Sequence, residues 1–230
     1  MDKFSKAHEL LKEHFKKDII INLSPSHGYR SRCEFGYRDG YYTMYDEESN
    51  RINLTTFQVA RPIISDLMPK LLNSINNEVE LNNKLFQINF RANSSNKVLV
   101  TLIYHKKLDE KIKDHAENLS ETHKISVILR SKNDIFYTHG DLLEDHVKSL
   151  NTKLYQSDHS FYQPNHFHMP EMVKKVISFL DEPKDLLELY CGSGTFTLPL
   201  SKYFNKVYAT ENNRQSIRCL EKSINAMSIE

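Results

Sequence analysis

The stretch DLLELYCGSGTFTLPLSKYFNKVYATE, from Asp185 to Glu211, restricts the fold of this chain more than any other. It opens with an apolar strand signal at Leu186, Leu187 and Leu189 and passes through a Gly-x-Gly turn at Gly192 and Gly194. A helical stretch is expected to about Phe204, then a second strand from Val207 to Thr210 that ends on an acid, Glu211. That order suits a ligand carrying a nucleoside. Glycines let the backbone approach it, helix N-terminal amides face it, and an acid roughly twenty residues on accepts the ribose hydroxyls. A dinucleotide fingerprint would place a third glycine at position 197, where Thr197 stands. The pyrophosphate of NAD or FAD is therefore disfavoured. A cofactor with a ribose and no phosphate fits better, and S-adenosylmethionine is the common one. Other readings remain for the single residues. A lone Gly-x-Gly is a tight connection in any α/β protein, Glu211 can cap the NNRQSI segment, and Tyr190 is either a stacking platform or ordinary strand packing.

At 230 residues the chain suits one large or two modest domains. With 31 basic and 30 acidic residues the net charge is +1, so no global field selects nucleic acid, and RNA binding has to rest on local patches. Cys33, Cys191 and Cys219 are too scattered for a disulfide framework or an iron–sulfur cluster, which points to a reducing compartment. The N-terminus is charged and lacks the apolar centre of a signal peptide, and the longest apolar run, Val98 to Tyr104, is far too short to span a bilayer. A cytoplasmic protein with no membrane association and no implied protein partner is expected. His159, His166 and His168 lack carboxylate or cysteine companions at ligand spacing, so no metal site is expected.

Along the chain, residues 4–17 read as an amphipathic helix with Phe4, Ala7, Leu11 and Phe15 on one face. Tyr29 to Tyr37 and Gly40 to Tyr45 read as a hairpin closed by Asp39-Gly40. A helix follows from Pro62 to Ile75, then strands Leu85 to Phe90 and Lys97 to Tyr104 around the turn Asn93 to Asn96. Asp109 to Glu121 reads as a helix, with strands at Ile125 to Leu129 and Lys153 to Gln156. From about Met169 the pattern becomes helix, strand, helix, strand, helix. The expected fold class is α/β: an α+β domain over 1–165, then the N-terminal portion of a Rossmann-like domain over 166–230 with an incomplete parallel sheet. The two are expected to pack together. Two strands are too few for a doubly wound sheet, so a truncated domain is expected, with Ile224, Met227 and Ile229 facing partners outside this chain.

These residues resemble the tRNA (uracil-5-)-methyltransferase family, which makes ribothymidine in the T loop. The likeness runs through YRSRCEF (Tyr29 to Phe35), KLFQINF (Lys84 to Phe90), LIYHKKLDE (Leu102 to Glu110), SFYQPN (Ser160 to Asn165) and LLELYCGSGTF (Leu186 to Phe196). The resemblance implies that Gln163, Tyr190 and Glu211 contact S-adenosylmethionine, with the Gly192 and Gly194 amides bordering its methionine portion. The family often has Asn where Thr195 stands, which implies a weakened contact there. It also implies RNA contacts by Arg32, Phe86 and His105, with Arg30, Lys106 and Lys107 as further phosphate candidates. For each basic residue alone the plain reading is a solvated surface role, and Phe86, alternating with Ile88, equally suits a core face.

In this family a cysteine thiolate attacks C6 of uracil, C5 takes the methyl group from the sulfonium, a base removes the C5 proton, and the thiolate leaves C6. The cysteine lies in a Ser-Cys-Asn-Pro string, and an Asp-Pro-Pro-Arg string holds a further cofactor contact. Neither string occurs among these residues, and no catalytic residue is assigned. Two functions are therefore set against each other: a tRNA methyltransferase of which this chain is a part, and a catalytically silent RNA-binding module. Some relatives acting on rRNA carry four clustered cysteines, which are absent here and leave tRNA as the expected substrate.

Overall fold

The computed structural model describes residues 3–15 and 18–229. The first helix, α1 (Lys3–His14), leaves Leu10 and Leu11 exposed, and Phe15 just after it is exposed too; positions 16 and 17 of the expected helix lie outside the described residues. Strands β1 (Arg32–Arg38) and β2 (Tyr41–Tyr45) form the hairpin that Asp39-Gly40 signals. Both turn residues have positive φ, 52° and 80°, the twist that matches the flanking strands. A third strand, β3 (Arg51–Leu54), has no counterpart in the sequence reading. It is short and polar, and Asp46 sets it up by accepting from the amides of Glu48 and Asn50.

Helix α2 (Pro62–Asn77) starts with proline at an early position and carries a second proline, Pro69, on its exposed side. Pro69 has no N–H to give the carbonyl of Ser65, and the Thr56 hydroxyl donates to that carbonyl instead at 2.9 Å. A short helix α3 (Val79–Asn82) leads into β4 (Leu85–Ala92) and β5 (Val98–Tyr104). Helix α4 (Glu110–His123) is capped by Asp109, which accepts from the Ile112 amide, and ends at Lys124 in the left-handed region. It crosses over to β6 (Ser126–Arg130), which therefore lies parallel to β5. The edge strand β7 (Ile135–Tyr137) completes a seven-stranded mixed sheet in the order β3-β2-β1-β4-β5-β6-β7.

Inward-facing residues of the sheet, Phe35, Tyr42, Ile88, Phe90, Val100 and Leu102 among them, form one core with the apolar stripes of α2 and α4. Phe35, Tyr42 and Phe90 meet edge-on or tilted at 5.6–6.2 Å.

The second part begins with the hairpin β8 (Leu143–Val147) and β9 (Thr152–Gln156), joined through a 3-10 turn at Lys148–Leu150. Helix α5 (His168–Ile177), strand β10 (Asp185–Leu189), helix α6 (Thr197–Ser201), strand β11 (Lys206–Thr210) and helix α7 (Arg214–Met227) follow. Strands β10 and β11 pair in parallel. The helix expected to reach Phe204 stops at Ser201. Pro199 lacks one first-turn donor, and the chain leaves through three-residue turns at Tyr203 and Phe204.

A second core gathers Val147, Leu150, Leu154 and Tyr162 with Met169, Val173, Cys191, Leu198 and Leu220, so residues on both sides of position 165 share it. Ile224 and Ile229 pack in part against this core and Met227 accepts from the Lys153 amide, so these three half-buried residues have neighbours within the chain. The cause is the β8–β9 hairpin, whose Tyr155 amide donates to Ser223 of α7.

Tyr162, in the second core, is linked to the β4–β5 turn through Asp145. It is buried, and its hydroxyl donates at 2.7 Å to Asp145, which also accepts from the Ser94 amide. Tyr162→Phe is expected to lower stability by about 1–2 kcal/mol, because a buried carboxylate loses a donor while little volume changes. Urea unfolding checks this, and an unchanged midpoint would show that the bond contributes nothing net.

Candidate functional site

Strand β10 runs straight into the glycine turn, and the turn is built from alternating left-handed residues. Tyr190, Gly192 and Gly194 have φ of 58°, 58° and 87°. The amide of Cys191 continues the pairing to Thr210, and the Gly194 amide donates back to the Cys191 carbonyl. A Cβ on Gly192 would meet nothing within 4 Å, so its backbone is open to approach. A Cβ on Gly194 would stand 2.5 Å from Leu220 and 3.2 Å from Leu198, so this glycine lets the turn settle on the second core.

Glu211 follows the end of β11 and folds onto the turn. One carboxylate oxygen accepts from the Gly192 amide at 3.0 Å; the other accepts from the Asn212 and Asn213 amides, both at 2.8 Å. Asn213 in turn caps α7 through the Ser216 amide. Tyr190 projects beside this arrangement with 85% exposure. Thr195 is buried behind the turn.

Gln163 is half-buried on the SFYQPN segment, which reaches the turn where the Ser193 hydroxyl donates to the Phe161 carbonyl at 3.3 Å. The structure thus brings the Gln163 segment, Tyr190, Gly192, Gly194 and Glu211 to one end of β10 and β11. Glu188, unmarked in the sequence, lies beneath: burial raises its carboxyl pKa, and the Thr197 hydroxyl donates to it at 2.6 Å. On the opposite side Leu187, Leu189 and Tyr208 are exposed.

None of the three cysteines is poised for attack. All are buried, and burial pushes each thiol up, that of Cys33 to about 12.

The RNA candidates divide. Phe86 and His105 stack with ring centroids 4.0 Å apart, in a groove of about 790 Å³ lined also by Lys107, Arg130, Lys132 and Asp134. Register decides the orientation of Phe86. A bulge between Leu85 and Gln87 turns it outward, while Ile88 and Phe90, two and four residues on, stay in the core. Arg32 stands at the other end of the β1–β4 pair, opposite Arg91, and donates two bonds to Glu34, so it does not join this groove. Lys106 donates to the Glu80 carbonyl, a structural bond. Arg130 and Lys132 were not marked by the sequence reading; the only local hint is a basic run closing a strand.

The histidines of the 159–168 segment have separate partners: His159 meets Arg130, and His166 meets the Tyr29 carbonyl. Among the described residues one other group offers three metal-ligand atoms, Glu78, Glu80 and His115. The two ring nitrogens of His115 face different carboxylates, at 3.7 and 3.8 Å.

A mixed sheet followed by a strand, glycine elbow, helix and strand, with an acid at the second tip, defines an α/β protein of the Rossmann-like methyltransferase class of folds. The crystal structure of Pyrococcus abyssi tRNA (uracil-54, C5)-methyltransferase with S-adenosyl-L-homocysteine superposes at a TM-score of 0.69, with 16% identity, over 90% of this chain and 55% of that one. The chain belongs to the tRNA (uracil-5-)-methyltransferase family, whose model matches residues 1–230. Two curated relatives named tRNA/tmRNA (uracil-C(5))-methyltransferase illustrate the likeness. That of Aliarcobacter butzleri is 33% identical over 93% of this chain, and that of Photorhabdus laumondii 36% over 90%. The chain spans 60% of the length of each.

Proposed function

We propose that this chain supplies the RNA-reading and donor-binding parts of an S-adenosylmethionine-dependent methyltransferase that methylates C5 of the T-loop uridine of tRNA. The RNA-reading part occupies residues 1–165 and the donor-binding part 166–230, with one core shared across the boundary. Membership of the family supports the reaction class. The observation that carries the donor site is the Glu211 carboxylate drawn onto the Gly192 amide beside the exposed Tyr190 ring. Bound there, S-adenosylmethionine would bring a sulfonium methyl group. The chain's own contribution is to hold it: Glu211 takes the ribose hydroxyls, Tyr190 covers the adenine, and Gln163 with the Gly192 and Gly194 amides borders the remainder. A cytoplasmic location goes with this reading, and among the described residues no helix is long and apolar enough to cross a membrane.

Equilibrium dialysis of the 230-residue chain against labelled S-adenosylmethionine tests the donor site; saturable binding is expected, and none at millimolar donor would overturn it. Labelled-methyl transfer to T-loop RNA by the same polypeptide separates the two functions. Binding without transfer is expected, since all three thiols are buried.

The groove at Phe86 and His105 is the proposed seat of an unstacked T-loop base, with Arg130, Lys107 and Lys132 toward its phosphates and Arg32 a more distant contact. Phe86→Ala is expected to weaken T-loop hairpin binding about 5- to 100-fold, since stacking on an aromatic ring contributes roughly 1–3 kcal/mol per base. A gel shift measures this, and unchanged affinity would move the base elsewhere.

A further inference from the structure

The segment 156–165 passes between the two cores and is tied on both sides. Arg91 of β4, only 3% exposed, donates to Gln156 Oε1 at 3.3 Å and to the carbonyls of Asp158 and Ser160 at 3.1 and 2.7 Å. The Ser31 amide and hydroxyl both donate to the Pro164 carbonyl, and Arg130 donates to the Asp158 carboxylate at 2.7 Å. On the other side the Ser193 hydroxyl donates to the Phe161 carbonyl, and the Asn213 amide group to that of His159 at 3.5 Å. Carbonyls 158, 160 and 164 thus face the seven-stranded sheet, while 159 and 161 face the elbow; residues 157–160 form a turn in which the Ser160 amide donates to the Ser157 carbonyl at 3.3 Å.

Arg91 is the unusual member. All three of its acceptors are neutral oxygens, and burying a cation against neutral acceptors costs desolvation that an apolar side chain would avoid. Nη2 donates to both carbonyls while Nη1 donates to Gln156 Oε1, and neither an apolar residue nor the single ammonium of a lysine can hold all three from one rigid plane.

We propose that Arg91 is a positioning residue: its guanidinium fixes Gln156 and the Asp158 and Ser160 carbonyls of this turn on the sheet, and so holds the His159 and Phe161 carbonyls, and Gln163 two residues past Phe161, against the elbow. This rests on the donor-binding reading of that elbow, and the test separates the two. Arg91→Lys keeps the charge and loses the fork; Arg91→Met removes both. In the whole 230-residue chain, hydrogen exchange is followed without donor at the Ser157 and Ser160 amides, which bond each other's hydroxyls. Calorimetry with S-adenosylmethionine follows.

Both variants are expected to exchange these amides about 10-fold faster, with the thermal midpoint of Arg91→Lys near that of the parent, and to bind donor about 5- to 10-fold more weakly, the scale of one lost hydrogen bond. Ser193→Ala, which cuts only the elbow side, is expected to weaken donor binding alike, and it decides the matter if the Arg91 variants do not fold. Unchanged exchange in both Arg91 variants overturns the anchoring, and unchanged donor affinity in spite of faster exchange overturns the positioning. A parent chain that binds no donor instead sinks the elbow reading, while the exchange result still decides whether Arg91 anchors the segment.

Discussion

Gly194→Ala is expected to destabilise the protein by about 2–5 kcal/mol, from two separable sources. With φ at 87°, an alanine would be held in a backbone region that costs about 1–2 kcal/mol for an L-residue. Its Cβ would stand 2.5 Å from Leu220 and 3.2 Å from two atoms of Leu198, side chains buried in the second core. Overpacking of that kind costs about 1–3 kcal/mol. Gly192→Ala supplies the internal control. Its φ of 58° exacts the conformational cost, but nothing lies within 4 Å of the added atom, so a loss of only about 1–2 kcal/mol is expected. Urea unfolding followed by circular dichroism measures both. Equal losses in the two variants would mean that the turn does not rest on Leu220 and Leu198 as described.

The contrast between these glycines shows where sequence reading stops. Gly-x-Gly after an apolar strand announces a tight connection, because only local backbone freedom is involved. Which glycine leans on the core and which opens to solvent depends on Leu220, twenty-six residues away in sequence. The same division holds elsewhere. Asp39-Gly40, Pro62 and the Asp109 cap act within a few residues, and the elements they mark stand where local chemistry puts them. Phe86 could not be assigned to a face, because period-two alternation presumes an unbroken register and the bulge at Leu85/Gln87 breaks it. Arg91 gave no signal at all, since its partners lie 65 to 69 positions along the chain. The shared second core was hidden for a related reason: the hairpin that completes it, β8 with β9, precedes the change of pattern near Met169.

Glu211→Ala is expected to weaken S-adenosylmethionine binding about 30- to 100-fold, and the occupancy of the carboxylate explains how. An ionised carboxylate offers about four acceptor positions. Three are used in the structure, by the Gly192, Asn212 and Asn213 amides. A ribose diol brings two donors, so one amide has to give way. The Asn212 and Asn213 amides belong to the same short loop as Glu211 and share one oxygen; Gly192 alone binds the other, from the opposing turn, at the longer distance of 3.0 Å. Donor binding should therefore release the Gly192 amide, leaving it free to face the ligand, and its hydrogen exchange and NMR shift should change more than those of Asn212 and Asn213. Each lost bond between a charged group and a hydroxyl contributes about 1.5–3 kcal/mol, partly offset because the three amides no longer have to be rearranged. Glu211→Gln keeps an acceptor without the charge, and an intermediate loss of about 10-fold is expected. Calorimetry on parent and variants gives the ratios. If Glu211→Ala binds donor as the parent does, the acid serves only to tie the turn to β11, and the sugar must be held by other groups.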